Sequence, residues 1–389
     1  MVRSGLEVFL DSASYILSGE RLGYLSNQAS TTSQLVQGRY LLRQRFGPRL
    51  TTLFSPQHGF FAEKQDNMIE SEHFVDSETR LPVYSLYGEL RRPSPEMFEN
   101  LDVLVVDLVD VGTRVYTFIY TLAYCLMTAA ETGKRVIVLD RPNPVGGQRV
   151  EGNILQDHLR SFVGMYPLPM RHGLTIGELA RLMNSEFAID ADLTVVPLEG
   201  WSRDMYFADT GLPWVAPSPN MPSPACALVY PGQVLWEGTN VSEGRGTTQP
   251  FEFVGAPFWN QPEILDFLQA TDLPGCYLRP IVFQPTSGKW AGQACKGFQV
   301  HVTDRDAFLP YRTSLALLQA AILLYPDAFA YKEPPYEYEY RKLPIDILLG
   351  DNQLRGQLEA GEKIEAIEQK WLPELAAFAS LKAAYLLYE

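Results

Sequence analysis

The chain has 389 residues, with 32 lysines and arginines against 46 acidic residues and a formal charge of −14. That balance disfavours a general nucleic-acid or anionic-membrane surface, while 46% hydrophobic and 20% charged residues suit a globular enzyme. The length predicts two domains, and the longest apolar run, Leu315–Tyr325, is too short to span a bilayer.

The first segment, MVRSGLEVFLDSASYIL, carries Glu7 and Asp11 where a signal peptide needs an unbroken apolar core, so a cytoplasmic setting is expected. Strands are predicted over Leu22–Ser26, Leu50–Ser55, Val103–Asp107, Val136–Asp140 and Leu193–Pro197. Helical patterns cover Ser33–Phe46, Tyr116–Thr132 and Thr175–Phe187. Runs such as VLVVD and VIVLD lack polar alternation, as expected of parallel strands covered on both faces. The N-terminal domain, residues 1–227, is therefore expected to be a three-layer α/β domain. A proline-rich but apolar crossing, Pro213–Pro231, leads into a smaller mixed α/β domain over 228–389. That second domain holds a helical pattern at Thr313–Tyr325 and an amphipathic tail from Gly361 to Tyr388. Cys125, Cys226, Cys276 and Cys295 show no CxxC spacing and are expected to be reduced thiols.

Ligands of open parallel sheets bind at the carboxyl ends of the strands. The residues following the predicted strands are Asn27, then Gln57 and His58, then Asp107, Asp110, Arg114 and Tyr116, then Arg141 and Asn143. Arg171 and His172 precede a glycine in a further polar loop, and Asn220 lies in the proline-rich crossing. The first turn reads SNQASTTSQ rather than G-x-G-x-x-G, and SEGRGTT lacks the P-loop lysine, which argues against a nucleotide cofactor. Five scattered histidines show no metal-ligand spacing, and Ser55 is not in a G-x-S-x-G elbow. No metal and no cofactor is expected.

The most polar segment is YPGQVLWEGTNVSEGRGTTQPFE, residues 230–252, which sets Glu237, Asn240, Glu243 and Arg245 among four glycines. Core packing has no use for so many polar groups, so a ligand loop is expected. Carboxylates are the remaining catalytic groups: Glu63, Asp66 and Glu70 after the second strand, and Glu237 and Glu243 here. Two carboxyl groups across a cleft are what glycosidic bond cleavage requires.

The segments SNQAS (26–30), SPQHGF (55–60), DVLVVDLVDVGTRVYTF (102–118), VLDRPNPVGG (138–147), RHGLTIGELA (171–180), TGLPWVAPSPNMPSP (210–224) and residues 230–252 together resemble the NamZ-type exo-β-N-acetylmuramidase family. The resemblance implies a Rossmann-like N-terminal domain, a smaller C-terminal domain and a cleft between them. It also implies release of N-acetylmuramic acid from the non-reducing end of peptidoglycan fragments, so the expected partner is a small saccharide or muropeptide. Many members resemble SPEHG where this chain has Gln57, and an amide cannot shuttle a proton. The acid role is therefore expected at Glu63, Glu70 or Glu243, with His58 nearby. The alternatives are hydrolysis of another acidic or amino sugar, or carbohydrate binding without catalysis. Arg141, Arg171 or Arg245 could grip the lactyl carboxylate of muramic acid, and the backbone of 242–246 could form an amide nest for it.

Overall fold

A computed structural model describes residues 1–66 and 68–389, and the side chains of all of these except 14–16. Its elements in chain order are α1 (Gly5–Ile16), β1 (Leu22–Ser26), α2 (Gly38–Phe46), β2 (Leu50–Ser55), β3 (Phe74–Val75), β4 (Pro82–Ser85), β5 (Val103–Asp107), α3 (Phe118–Thr132), β6 (Arg135–Leu139), β7 (Glu151–Ile154), β8 (Pro169–Arg171), α4 (Ile176–Glu186) and β9 (Asp192–Val196). The second half adds α5 (Pro224–Gln233), β10 (Phe253–Ala256), α6 (Gln261–Leu268), β11 (Cys276–Phe283), β12 (Cys295–Val302), α7 (Pro310–Leu324), α8 (Pro344–Leu349), α9 (Leu354–Glu359) and α10 (Ile364–Lys382).

Successive side chains of a strand point to opposite faces, and apolar strands must be covered on both. Tyr24, Val103, Val105, Ile137 and Leu139 accordingly pack with Leu6, Phe9 and Leu42 of α1 and α2. Leu25, Leu104, Val106, Val136 and Val138 pack with Phe118, Leu122 and Leu179 of α3 and α4. The result is a seven-stranded sheet of order β3-β4-β2-β1-β5-β6-β9, parallel throughout except where β3 runs against β4. This is the expected Rossmann-like layer. The C-terminal sheet, β10-β12-β11, is antiparallel and accompanied by helices.

Two element starts differ from expectation in ways that matter. Helix α2 begins at Gly38 because residues 31–37 close a loop, with Thr32 N–H donating to the Val36 carbonyl at 2.9 Å. Helix α3 begins at Phe118, which leaves Tyr116 and Thr117 on the loop that enters it. The proline-rich crossing is packed as expected: Asn27 Nδ2 donates to the Pro217 carbonyl at 2.8 Å and Gln28 Nε2 to the Ala216 carbonyl at 2.6 Å. Helix α5 spans the expected boundary at 227/228, and the larger apolar core runs without a break from Leu25 to Phe378. Among the described residues no helix is long and apolar enough to cross a membrane.

Arg114 fastens the two halves. It is 0% exposed and forms no ion pair among the described residues. Instead its guanidinium donates to the carbonyls of Asn153 and Leu168 on one side, at 2.9 and 3.1 Å, and of Leu348 and Leu349 on the other, both at 2.9 Å. Leu348 and Leu349 end α8, where cations are favoured by the helix dipole. Replacing Arg114 by Met would leave four buried carbonyls short of a donor. R114M is expected to lose roughly 3 kcal/mol or more of unfolding free energy. Chemical denaturation measures this, and a loss below about 1 kcal/mol would show that the seam does not rest on Arg114.

Candidate active site

A cleft of about 1320 Å³ opens between the loop after β2 and the C-terminal half, lined by Asp66, Asn220, Asn240, Glu243, Thr247 and Lys289 among others. It shares Asn220, Glu237, Arg245 and Tyr336 with a narrow recess that also takes in Gln57, His58, Tyr116, Thr117 and Glu337. The N-terminal half thus contributes the end of β2 and the entry to α3. Residues 237–247 and 336–337 come from the other half.

An alternating charge array builds one wall. Arg245 reaches Glu237 at 2.6 Å and Glu243 at 3.4 Å, and Lys289 reaches Glu243 at 2.7 Å. Lys289 Nζ also donates to the carbonyls of Trp236 and Val241, so it ties the glycine-rich loop to the segment after β11. Tyr336 donates its hydroxyl to the second oxygen of Glu237 at 2.6 Å. Burial raises the proton affinity of Glu237, but Arg245 and these donors outweigh it and hold the carboxyl below its ordinary value. Burial likewise lowers the affinity of the Lys289 ammonium for its proton, against the pull of Glu243.

Glu337 stands in the opposite condition. One oxygen accepts Gln57 Nε2 at 2.9 Å and the other accepts the Tyr87 hydroxyl at 2.7 Å. Gln57 is oriented in turn by Thr117, whose hydroxyl donates to its Oε1 at 2.5 Å. No ion pair to Glu337 forms among the described residues, and burial, reinforced by the nearby charge of Glu237, pushes its carboxyl above the ordinary value. Tyr336 and Glu339 exchange backbone hydrogen bonds around a two-residue turn whose tip, Glu337 and Tyr338, has φ of 46° and 65°. Left-handed backbone normally falls to Gly or Asn, and holding Glu and Tyr there costs about 1–2 kcal/mol per residue.

The expected site residues separate into three groups. Gln57, His58, Tyr116, Asn220, Asn240, Glu243 and Arg245 line the cleft or its recess. Asn27, Asp107, Asp110, Arg114, Arg141, Asn143, Arg171 and His172 line neither, because each is buried in a network of its own. Asp107 takes a two-pronged ion pair from Arg141 at 2.7 and 2.8 Å and the Tyr24 hydroxyl at 2.7 Å. His172 pairs with Asp110 at 3.2 Å, Arg171 donates to the Val145 carbonyl, and Asn143 bridges Leu174 and Val145. Glu63 is exposed and accepts the Phe61 N–H at 3.2 Å. Glu70, also exposed, accepts the Tyr338 hydroxyl at 3.1 Å. Within the suggested amide nest, Ser242 N–H is taken by the Gly255 carbonyl and Gly244 N–H by Ser242 Oγ. Arg245 is already met by Glu237 and Glu243, with Asp66 at 3.9 Å. Glu337, Tyr336, Tyr87 and Lys289 were not legible as site residues. The one hint was the acidic and aromatic alternation of PPYEYEY (334–340) directly after two prolines.

A cleft that holds one carboxyl ionised and presses its neighbour toward the neutral acid is the arrangement that glycoside hydrolases use. Comparison with known proteins agrees. The family description "exo-β-N-acetylmuramidase NamZ, N-terminal" matches residues 22–225, and its C-terminal counterpart matches residues 228–388. The peptidoglycan β-N-acetylmuramidase NamZ of Bacillus subtilis (strain 168) is 43% identical over 387 residues, covering 100% of this chain and 91% of that protein. Two solved DUF1343 family proteins of Bacteroides fragilis NCTC 9343 superpose over 100% of this chain and 99% of theirs. Their TM-scores are 0.90 and 0.77, at 32% and 28% identity. The chain belongs to the NamZ exo-β-N-acetylmuramidase family.

His58 sits at the rim of the recess with φ 71°, its Nδ1–H donating to the Lys64 carbonyl at 2.9 Å. Burial lowers its pKa from 6.5 to about 4. The unfolded chain therefore binds this proton below pH 6.5 while the folded one does not until about pH 4. Stability should fall as pH drops across that window. H58N, which tolerates the left-handed backbone, is expected to flatten the difference. Paired denaturation curves at pH 7 and pH 4.5 test it, and identical pH dependence in both proteins would refute it.

Proposed function

We propose that this protein is a glycoside hydrolase that removes N-acetylmuramic acid from the non-reducing end of peptidoglycan fragments. The observation that carries the reading is the recess itself, where carboxyl groups in opposite electrostatic conditions meet at the seam between the two family-matched halves. The cleft of about 1320 Å³ has room for a saccharide and shares Glu237 with the recess that Glu337 lines, which supports action on a sugar bound in the cleft. Four unpaired cysteines, three of them buried, support a reducing cytoplasmic setting and hence salvage of wall fragments.

Muramic acid differs from glucosamine by a lactyl carboxylate, so selectivity requires an available cation. The charges of Arg245 and Lys289 are committed to Glu237 and Glu243. Lys332 lines the same cleft, lies against the Tyr336 ring at 5.8 Å and forms no ion pair among the described residues. It is the group best suited to meet the lactyl carboxylate.

Hydrolysis of 4-nitrophenyl β-N-acetylmuraminide, with the glucosaminide as control, tests the activity. Cleavage of the first at least about 100-fold faster is expected, a difference that a charge-assisted contact and shape together can supply. No cleavage of the muraminide would reject the reading. For selectivity, K332M is expected to raise KM for the muraminide roughly tenfold while kcat changes little, as removal of a uniform binding contact should. An unchanged KM would remove Lys332 from this role.

A further inference from the structure

We propose that Glu337 is the general acid of this enzyme and that Glu237 is the carboxylate that receives the proton of the attacking water. The proposal rests on the hydrolase reading above. It assigns the acid to the carboxyl group that Gln57 itself holds, 280 positions away in the chain.

Three independent observations converge on Glu337. First, the strand end that opens into the recess offers an amide, and an amide has no proton to give at any working pH. Its Nε2 is spent on holding the Glu337 carboxyl in place, and Thr117 fixes its other end. Second, Glu337 is 3% exposed, yet its partners are a neutral amide and a phenol rather than a cation. A buried carboxyl group met by neutral donors is favoured in its proton-bearing form, the form a general acid needs. Third, it is carried at the tip of a turn in left-handed backbone, a conformation that glycine would adopt without strain. Strain of this kind persists where the surroundings demand a particular side chain.

The adjoining residue completes the arrangement. Tyr336 donates to Glu237, so the same turn that presents Glu337 also steadies the ionised carboxylate of the pair. Glu237 and Glu337 both line the recess. In the proposed step the Glu337 proton passes to the glycosidic oxygen. The bond from that oxygen to the anomeric carbon breaks, and both electrons stay with the oxygen. A water oxygen forms the new bond to the anomeric carbon and gives its proton to Glu237. Proton exchange with solvent then restores both groups. Gln57 and Tyr87 act as positioning residues.

The decisive experiment compares two substrates. One is a disaccharide with N-acetylmuramic acid at the non-reducing end, whose leaving sugar needs protonation. The other is 4-nitrophenyl β-N-acetylmuraminide, whose leaving phenolate does not. E337Q should lower kcat/KM for the disaccharide by about 10²–10⁴-fold. The nitrophenyl substrate should change less than about tenfold, and the fall in rate at alkaline pH should vanish. E237Q should lower both substrates alike, since water must be activated in either case. Retained nitrophenyl cleavage shows that E337Q is folded. Should it fail to fold, E337D keeps the carboxyl on a shorter arm and should lose disaccharide cleavage selectively. Equal losses on the two substrates, or no loss on either, in the folded variant would overturn the assignment. Wild-type protein that cleaves neither substrate would instead reject the hydrolase reading, and the proposal with it.

Discussion

The burial of the Arg114 guanidinium without a counter-ion is the constraint on which the site depends. A charge in a protein interior without a counter-ion needs hydrogen-bond acceptors in place of water. Here four backbone carbonyls from two halves of the chain provide the acceptors. Because Leu348 and Leu349 end α8, this contact fixes that helix against β7 and the residue that precedes β8. The segment leading into α8 is therefore held too, and it carries Tyr336 and Glu337 into the recess. A residue that reads as a ligand-binding arginine acts instead as the fastening that makes a shared cleft possible.

The second theme is how similar side chains are driven to different protonation states. Glu237 and Glu337 are both buried, and burial alone would push both toward the neutral acid. What separates them is the company each keeps. Glu237 sits against a guanidinium that also serves Glu243, while the hydrogen-bond partners of Glu337 among the described residues are an amide and a phenol. The chain of opposite charges from Lys289 through Glu243 and Arg245 to Glu237 leaves little net charge in that wall. This also bears on the arginines that seemed suited to gripping a carboxylate. Arg141 and Arg171 do not line the cleft, Arg245 is engaged by carboxylates within the protein, and Lys332 also faces the cleft.

Much of the fold was readable because its causes are local. VLVVD and VIVLD are apolar at every position before a terminal aspartate, and a parallel strand covered on both faces has few other sequence patterns open to it. The limits of β1, β2 and β5 coincide with those expected, and the α4 start is marked by the Thr175–Glu178 capping box. The helix entering at Tyr116 was read two residues too long. Its pattern of apolar residues continues through a loop that tertiary contacts, not propensity, hold open. The polar strand ends were all equally plausible ligands, and nothing local distinguishes Asp107 from Gln57.

By itself the sequence determined the layered α/β architecture and the family, and it singled out the glycine-rich loop at 237–247 that lines the cleft, since periodicity, apolar runs and dense polar motifs are properties of short segments. Only the tertiary structure decided which polar residues are spent on one another and which face the cleft. Asp107 is satisfied by Arg141, 34 positions away, and Glu337 meets Gln57 across 280. The proton affinity of a carboxyl group depends on what surrounds it within a few ångströms. In a folded chain those neighbours come from anywhere in the sequence.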